Sequence, residues 1–248
     1  RSSYLVFKAD FVACHQQSYI SKYDIVSEIK PGGKFLLNCR WKGKELEANL
    51  PAEVKKYIAN NDISFYTIDA VDICREIGLG NRTNSVLQSA FFELANIIPA
   101  NDAVGYMKAA IEKSYGLKGE KIVNMNYAAV DAGLSGLVKI DVPESWKDAK
   151  DVNKEDVKRI LPEYIEKLLI PMNAQKGDTL PVSVFLGRED GTAPLGTSAY
   201  EKRGVAIDVP EWNIDNCIQC NQCSYVCPHA CIRPFLLTDE EAKKAPES

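Results

Sequence analysis

The chain has 248 residues, 46% hydrophobic and 26% charged, with 30 basic against 34 acidic side chains and a formal net charge of −4. That length suits one large domain, or a medium one with a small one attached, and the apolar fraction is enough to bury a core. The acidic balance excludes a generally basic nucleic-acid binder, and no run of about 18 apolar residues is available to span a membrane. Arg1 rather than Met opens the chain and no secretory signal follows, so a processed chain or a segment of a longer one is expected.

The first half reads as alternating strands and helices. Tyr4–Phe7 is a short apolar run of β-prone residues. Ile20, Tyr23, Val26 and Ile29 recur at helical spacing, with Pro31-Gly32-Gly33 as the stop. Lys34–Asn38 is a strand candidate; Pro51 opens a helix carrying Val54, Tyr57 and Ile58, and Asn60-Asn61-Asp62 ends it. Ile63–Ile68 follows as a strand. This β-α-β-α-β order implies parallel strands joined by crossovers. The middle is helical: Thr83–Ile97, then Asp102–Tyr115 capped by Asn101 and stopped by Gly116, then Gly119–Ala132. Ser145–Asp151 reads as a polar linker, and Asn153 caps a helix to Leu169 with Pro162 as a kink or break. Leu180–Leu186 and Gly204–Val209 look like strands around a turn-rich stretch, which suggests a small β-rich module. Glu240–Ser248 is a charged tail.

Eight cysteines carry the chemical information, and they are unevenly placed. Cys14, Cys39 and Cys74 are scattered, and each is expected to be a buried thiol. Cys217, Cys220, Cys223, Cys227 and Cys231 fall within fifteen residues. A disulfide framework belongs mainly to small secreted domains, so this cluster points to metal and a reducing compartment. Cys217 to Pro228 reads C-x2-C-x2-C-x3-C-P, the run with which bacterial-type ferredoxins hold a [4Fe–4S] cluster. Four irons each want one thiolate, a loop with cysteines three apart wraps three corners, and its N–H groups offset the negative charge of the sulfides. In two-cluster ferredoxins the fourth cysteine ligates the other cluster. Cys217, Cys220 and Cys223 are therefore expected to hold one cluster and Cys227 to reach a second, for which a further run is needed beyond Ser248. Zinc prefers paired C-x2-C units separated by a longer loop. Cys231 stands outside the ligand run as a core or surface thiol, and His229 is expected to hydrogen-bond within the loop. Trp212, Phe91 and Phe92 are expected to pack.

With those residues in view, the chain resembles an internal segment of the pyruvate:ferredoxin (flavodoxin) oxidoreductase family. Lys8–His15 resembles the strand and loop near the middle of the family's gamma-type domain. Gly80–Phe92 resembles its Gly-Arg-Ile-Asn-type helix start. Asp190-Gly191-Thr192-Ala193-Pro194-Leu195-Gly196-Thr197 with Glu201-Lys202-Arg203-Gly204 resembles the short module ahead of its ferredoxin-like domain. The resemblance implies an α/β fold: a partial parallel-sheet gamma-type domain over residues 1–175, truncated at its N-terminus, then a small linking module over 176–212. The first half of a ferredoxin-like [4Fe–4S] domain would fill 213–248.

The resemblance also implies oxidative decarboxylation of pyruvate on thiamine diphosphate with Mg, in domains absent from this chain. Electrons would pass singly to [4Fe–4S] clusters and the acetyl group to coenzyme A, and this segment alone would be inactive. Its gamma-type domain would contact coenzyme A. Arg82, with Asn81 and Asn84 at a helix start, suits phosphate recognition, while the same residues also suit plain capping and turning. Lys8 and His15 are weaker candidates. The Asn81-Arg82-Thr83 sequon is read as chance.

Partners implied are the rest of the same polypeptide, ferredoxin or flavodoxin as acceptor, and a second copy in a homodimer, with neither nucleic acid nor membrane. The expected location is the cytoplasm, or an anaerobic redox organelle in a eukaryote. The alternatives are a free-standing iron–sulfur electron carrier and a zinc-binding interaction module.

Overall fold

The computed structural model describes residues 6, 8–150, 160–201, 206 and 209–244. Tyr4, Leu5 and Phe7 of the first predicted strand, Asn153 as a helix cap, and most of the predicted strand at Gly204–Val209 lie outside them. The chain divides into two compact units, residues 1–205 and 206–248.

The first unit is built on a four-stranded sheet in the order β1 (Ala9–Cys14), β2 (Ile29–Asn38), β3 (Ser64–Ile68), β4 (Val138–Ile140). β1 and β3 both pair parallel with β2, and β4 pairs antiparallel with β3. The α/β reading and its parallel strands are observed, and the antiparallel edge strand is an addition. Among the described residues the first unit has seven helices: α1 (Gly43–Asn49), α2 (Ala52–Asn60), α3 (Ala70–Ile77), α4 (Asn84–Ala95), α5 (Ala100–Tyr115), α6 (Glu120–Ser135) and α7 (Ile170–Asn173).

Side-chain alternation on the strands sorts the apolar residues into two cores. Phe35, Leu37 and Phe65 face one side, where Leu46 of α1, Leu50 just after it, and Val54 and Ile58 of α2 pack with Ile20, Val26 and Trp146. Leu36 and Ile68 face the other, against Cys74 of α3, Ala129 of α6, and Val86, Leu87, Ala90 and Leu94 of α4. The i, i+4 series Ala103, Met107 and Ile111 buries one stripe of α5, where Met107 and Ile111 pack with Val123 and Val130 of α6.

Five expectations change. A 3-10 turn at Gln17–Tyr19 precedes Ile20, and from there to Glu28 the chain runs through turns and bends rather than a helix, with Ile29 opening β2. The apolar spacing is real, since Ile20, Val26 and Ile29 are buried. However, Asp24 Oδ1 accepts from the Ser27 N–H at 3.2 Å, a local bond that competes with helix. Pro31-Gly32-Gly33 does not stop a helix. It makes an irregularity in β2, with Gly32 at φ 75°, across which the pairing jumps from Ala9–Ile29 to Phe11–Lys34. Asn101 lies inside α5, which begins at Ala100 directly after Pro99, its N-cap. The predicted linker is structural: Trp146 lies in a 3-10 turn at Glu144–Asp148, is buried 6.3 Å from the Phe65 ring, and donates through Nε1 to Glu47 Oε1 at 3.3 Å. Finally, residues 180–186 make a 3-10 turn at Val182–Phe185, not a strand, because no neighbouring strand is there to pair with it. No strand occurs among the described residues of 176–212, so the β-rich module is not observed there.

Among the described residues of the predicted helix to Leu169, 160–162 are not helical; the helical run starts at Glu163 and passes through a π-helical turn at Ile165–Leu169 into α7. The proline therefore sits at the N-terminal end, where its missing N–H costs nothing. None of the helices among the described residues is long and apolar enough to cross a membrane.

The α4–α6 contact sets a local limit on residue size. A Cβ on Gly133 would overlap Ser89 Oγ and the Val86 carbonyl, whereas a Cβ on Gly105 would meet open space. Gly133→Ala is expected to destabilise the first unit by about 1–3 kcal/mol, and Gly105→Ala to stabilise it by about 0.5–1 kcal/mol. Urea denaturation followed by circular dichroism checks both signs.

Candidate functional site

Two groups of residues carry candidate chemistry, one in each unit. In the first, α3 ends on Gly78 in the left-handed region at φ 92°, where a side chain would be strained. Gly80 is also left-handed, and the chain reaches α4 through Asn81, Arg82 and Thr83. The buried Cys74 thiol donates to the Arg82 carbonyl at 3.3 Å, and the Thr83 N–H to the Asn81 carbonyl at 3.1 Å. The backbone at Arg82 is thus held from inside the core while Asn81, Arg82 and Asn84 are exposed. Thr83 occupies the N-cap position without a side-chain capping bond, so the first N–H groups of α4 keep their donors. The arrangement presents a guanidinium and two amides beside the positive end of a twelve-residue helix.

Asn38 is the polar residue that sequence reasoning missed, filed within a strand. It is buried at the end of β2, its Nδ2 donates to the His15 carbonyl at 2.9 Å, and its Oδ1 accepts from the Ala70 N–H at 3.0 Å. It joins the ends of β1 and β2 to the start of α3. His15 and Lys8 are exposed. A groove of about 490 Å³ runs between Glu163, Tyr164, Lys167 and Arg188. Its charges are matched internally: Lys167 pairs with Glu163 at 2.6 Å, and the Arg188 guanidinium lies 4.7 Å from the Tyr164 ring centre.

The second unit carries the cysteine run on turns and two short helices, α8 (Gln222–Val226) and α9 (Asp239–Ala242). Asn213 Oδ1 accepts from the N–H groups of Asp215 and Asn216 and sets the turn that delivers Cys217. Gln219 and Asn221 sit in the left-handed region at φ 55° and 58°, turning the backbone between successive cysteines. Cys223 lies on α8 and Cys227 at its C-cap, followed by Pro228. Cys217, Cys220, Cys223 and Cys231 are exposed and Cys227 is half-buried. The Cys227 sulfur accepts the Cys231 N–H at 3.4 Å. That bond, with those of His229 and Ile232, holds its thiol below the usual value by favouring the thiolate.

Among the described residues no three or more His, Cys, Asp or Glu side chains are drawn together as a metal-holding group, so the four predicted ligands do not converge on one point. The donor set itself, four accessible thiols at this spacing, suits a thiophilic metal. Trp212 is 58% exposed, so the expectation that it packs is overturned. Phe91 does pack, edge-on to Phe11 at 5.5 Å and to Phe92 at 5.2 Å.

Comparison with known proteins places the chain. A model of the pyruvate ferredoxin/flavodoxin oxidoreductase family matches residues 1–136, and one of a domain of unknown function named EKR matches residues 150–206. A pyruvate-flavodoxin oxidoreductase of Enterobacter agglomerans is 57% identical over 246 residues, covering 99% of this chain and 21% of that protein. A pyruvate:ferredoxin oxidoreductase of Moorella thermoacetica is 52% identical over 248 residues, 100% of this chain and 21% of the other. A pyruvate dehydrogenase [NADP(+)] of Cryptosporidium parvum is 44% identical, over 100% of this chain and 14% of its own length. The chain thus spans about a fifth of the length of the curated bacterial relatives it matches. Among solved structures, the pyruvate oxidoreductase subunit PORC of Thermotoga maritima aligns with a TM-score of 0.44 at 17% identity, over 55% of this chain and 67% of that one.

The eight thiols fall into two reactivity classes. Burial pushes Cys14 up to about 11 and Cys39 up to about 12, and raises Cys74. Alkylation of the native metal-free chain at pH 8 is expected to modify Cys217, Cys220, Cys223, Cys227 and Cys231 rapidly. Cys14, Cys39 and Cys74 should react only after unfolding, as read by peptide mass mapping. Rapid native labelling of Cys39 would contradict the burial account.

Proposed function

This chain belongs to the pyruvate ferredoxin/flavodoxin oxidoreductase family, and we propose that it is the part of such an enzyme that joins an acyl-acceptor contact to the electron relay. The carrying observation is the C-x2-C-x2-C-x3-C-P run at Cys217–Pro228, its thiols accessible, in one chain with the family's α/β unit. The whole enzyme would oxidatively decarboxylate pyruvate to acetyl-coenzyme A, with thiamine diphosphate and Mg bound by other parts of the polypeptide. Ferredoxin or flavodoxin would be its acceptor, and the working form a homodimer in the cytoplasm or an anaerobic redox organelle. The segment divides at 1–175, 176–212 and 213–248, and alone does not catalyse the reaction.

Cys217, Cys220 and Cys223 would hold one [4Fe–4S] cluster and Cys227 would belong to a second. Bound there, such a cluster supplies one-electron transfer. The protein's contribution would be thiolate donors in a loop whose backbone N–H groups can offset negative charge. The N–H groups around Cys227 already do this for its sulfur. At the α4 entrance, Arg82 would pair with a phosphate of coenzyme A, and Asn81 and Asn84 would donate beside it. A fixed backbone and an exposed guanidinium are what such a contact requires, since the charge must be positioned without being buried.

Anaerobic reconstitution of the chain with iron and sulfide is expected to give a brown protein with visible charge-transfer absorption and, after reduction, a paramagnetic resonance signal. Cys220→Ala should lose most of its iron and sulfide. Stoichiometric zinc without sulfide would overturn the reading. In the full-length enzyme Arg82→Ala is expected to raise KM for coenzyme A roughly tenfold or more, the loss of a charge-assisted hydrogen bond, and to leave pyruvate decarboxylation intact. Unchanged coenzyme A kinetics would remove Arg82 from the site.

A further inference from the structure

We propose that Cys227 and Cys231 form a site of reversible thiol oxidation, closing to an intraloop disulfide when the metal-free chain meets a hydroperoxide. The geometry of the turn carries this. The backbone nitrogen of Cys231 lies 3.4 Å from the Cys227 sulfur, and an N–Cα bond of about 1.46 Å puts the Cys231 Cα within about 5 Å of that sulfur. The Cys231 side chain is itself a hydrogen-bond partner of the same sulfur. A disulfide asks for Cα atoms some 4.4–6.8 Å apart, and a sulfur this close to the opposite Cα is compatible with that range.

The turn that brings the two together is held in place. Pro228 fixes φ after Cys227. The Ala230 N–H donates to the Cys227 carbonyl at 3.3 Å, and the Ala230 carbonyl accepts from Arg233 Nε at 2.9 Å. Ala230 is left-handed at φ 49°, an unusual conformation for a residue with a Cβ, and it aims Cys231 back at Cys227.

Partner choice follows from what else is near. Cys231 stands outside the ligand run, so pairing with Cys227 does not compete with a ligand role of its own. Among the described residues no hydrogen bond is made by the sulfurs of Cys217, Cys220 or Cys223. Cys14, Cys39 and Cys74 are buried in the other unit's core.

The chemistry balances with the peroxide as oxidant. One thiolate attacks the peroxide, the O–O bond breaks, and a sulfenic acid forms as water leaves. The second thiol attacks that sulfur, the S–S bond forms, the S–O bond breaks, and a second water leaves. The thiols lose two electrons and two protons, and the peroxide gains them. A consequence, which rests on the proposed role of Cys227 as a donor, is that oxidation withdraws one ligand until a dithiol reductant returns it.

The test is peptide mapping of the full chain, stripped of metal by chelation, exposed to hydrogen peroxide and then alkylated. The peptide holding Cys227 and Cys231 is expected to lose two hydrogens, to resist alkylation, and to recover both thiols with dithiothreitol. In Cys231→Ser, Cys227 should instead be found as sulfenic or sulfinic acid. Cys227 joined to Cys217, Cys220 or Cys223, or both thiols over-oxidised without a cross-link, would overturn the proposal. Iron uptake by the cross-linked chain separates it from the donor role. A cross-link that leaves uptake unchanged supports the oxidation site and removes Cys227 from the ligands.

Discussion

Burial of β2 on both faces is the constraint on which the first unit rests. Phe35, Leu36 and Leu37 are consecutive and all lie out of water, with Leu36 turned to one core and its neighbours to the other. A strand buried on both sides must be covered on both sides, which is why helices lie over each face of a mainly parallel sheet. Full burial of three such side chains is worth about 5–9 kcal/mol, comparable with the net stability of a whole domain, about 5–15 kcal/mol. α1 and α2 cannot be lost from one side, nor α3, α4 and α6 from the other, without exposing this strand.

That constraint also sorts the sulfur. Cys14 and Cys39 lie at the ends of β1 and β2 in one core and Cys74 lies in the other, each thiol donating to a carbonyl. Burial keeps them neutral and inert. In the second unit the five cysteines stand on turns and a five-residue helix with no comparable cover. One chain thus carries structural thiols where the sheet encloses them and available thiols where no core does. Cys74 does more than fill the core, since the bond that satisfies its buried S–H also fixes the Arg82 backbone from beneath.

Legibility in the sequence followed the range of the interaction. The strands at Lys34–Asn38 and Ile63–Ile68, and the helices α4, α5 and α6, were readable because burial on a fixed period writes itself into apolar spacing. The spacing at Ile20–Ile29 misled because consecutive turns also bury every third residue, and only the Asp24–Ser27 bond tells them apart. β4, three residues long with Val138 largely exposed, has no pattern to read; it exists because β3 offers it an edge. Trp146 reads as part of a polar linker because its neighbours are charged, yet its own ring closes the core. The cysteine run was legible because its spacing is covalent. The approach of Cys231 to Cys227 was not, because it depends on a left-handed alanine that no residue preference announces.

The central claim is that the accessible thiols of the second unit, and not the buried ones of the first, hold iron and sulfide. Iron K-edge X-ray absorption on the reconstituted chain tests it most directly. The account predicts sulfur as the only nearest scatterer, with iron–iron scattering beyond it, and loss of both in a Cys217→Ser, Cys220→Ser double variant. Nitrogen or oxygen as nearest neighbours, or a spectrum that the double variant leaves unchanged, would contradict it.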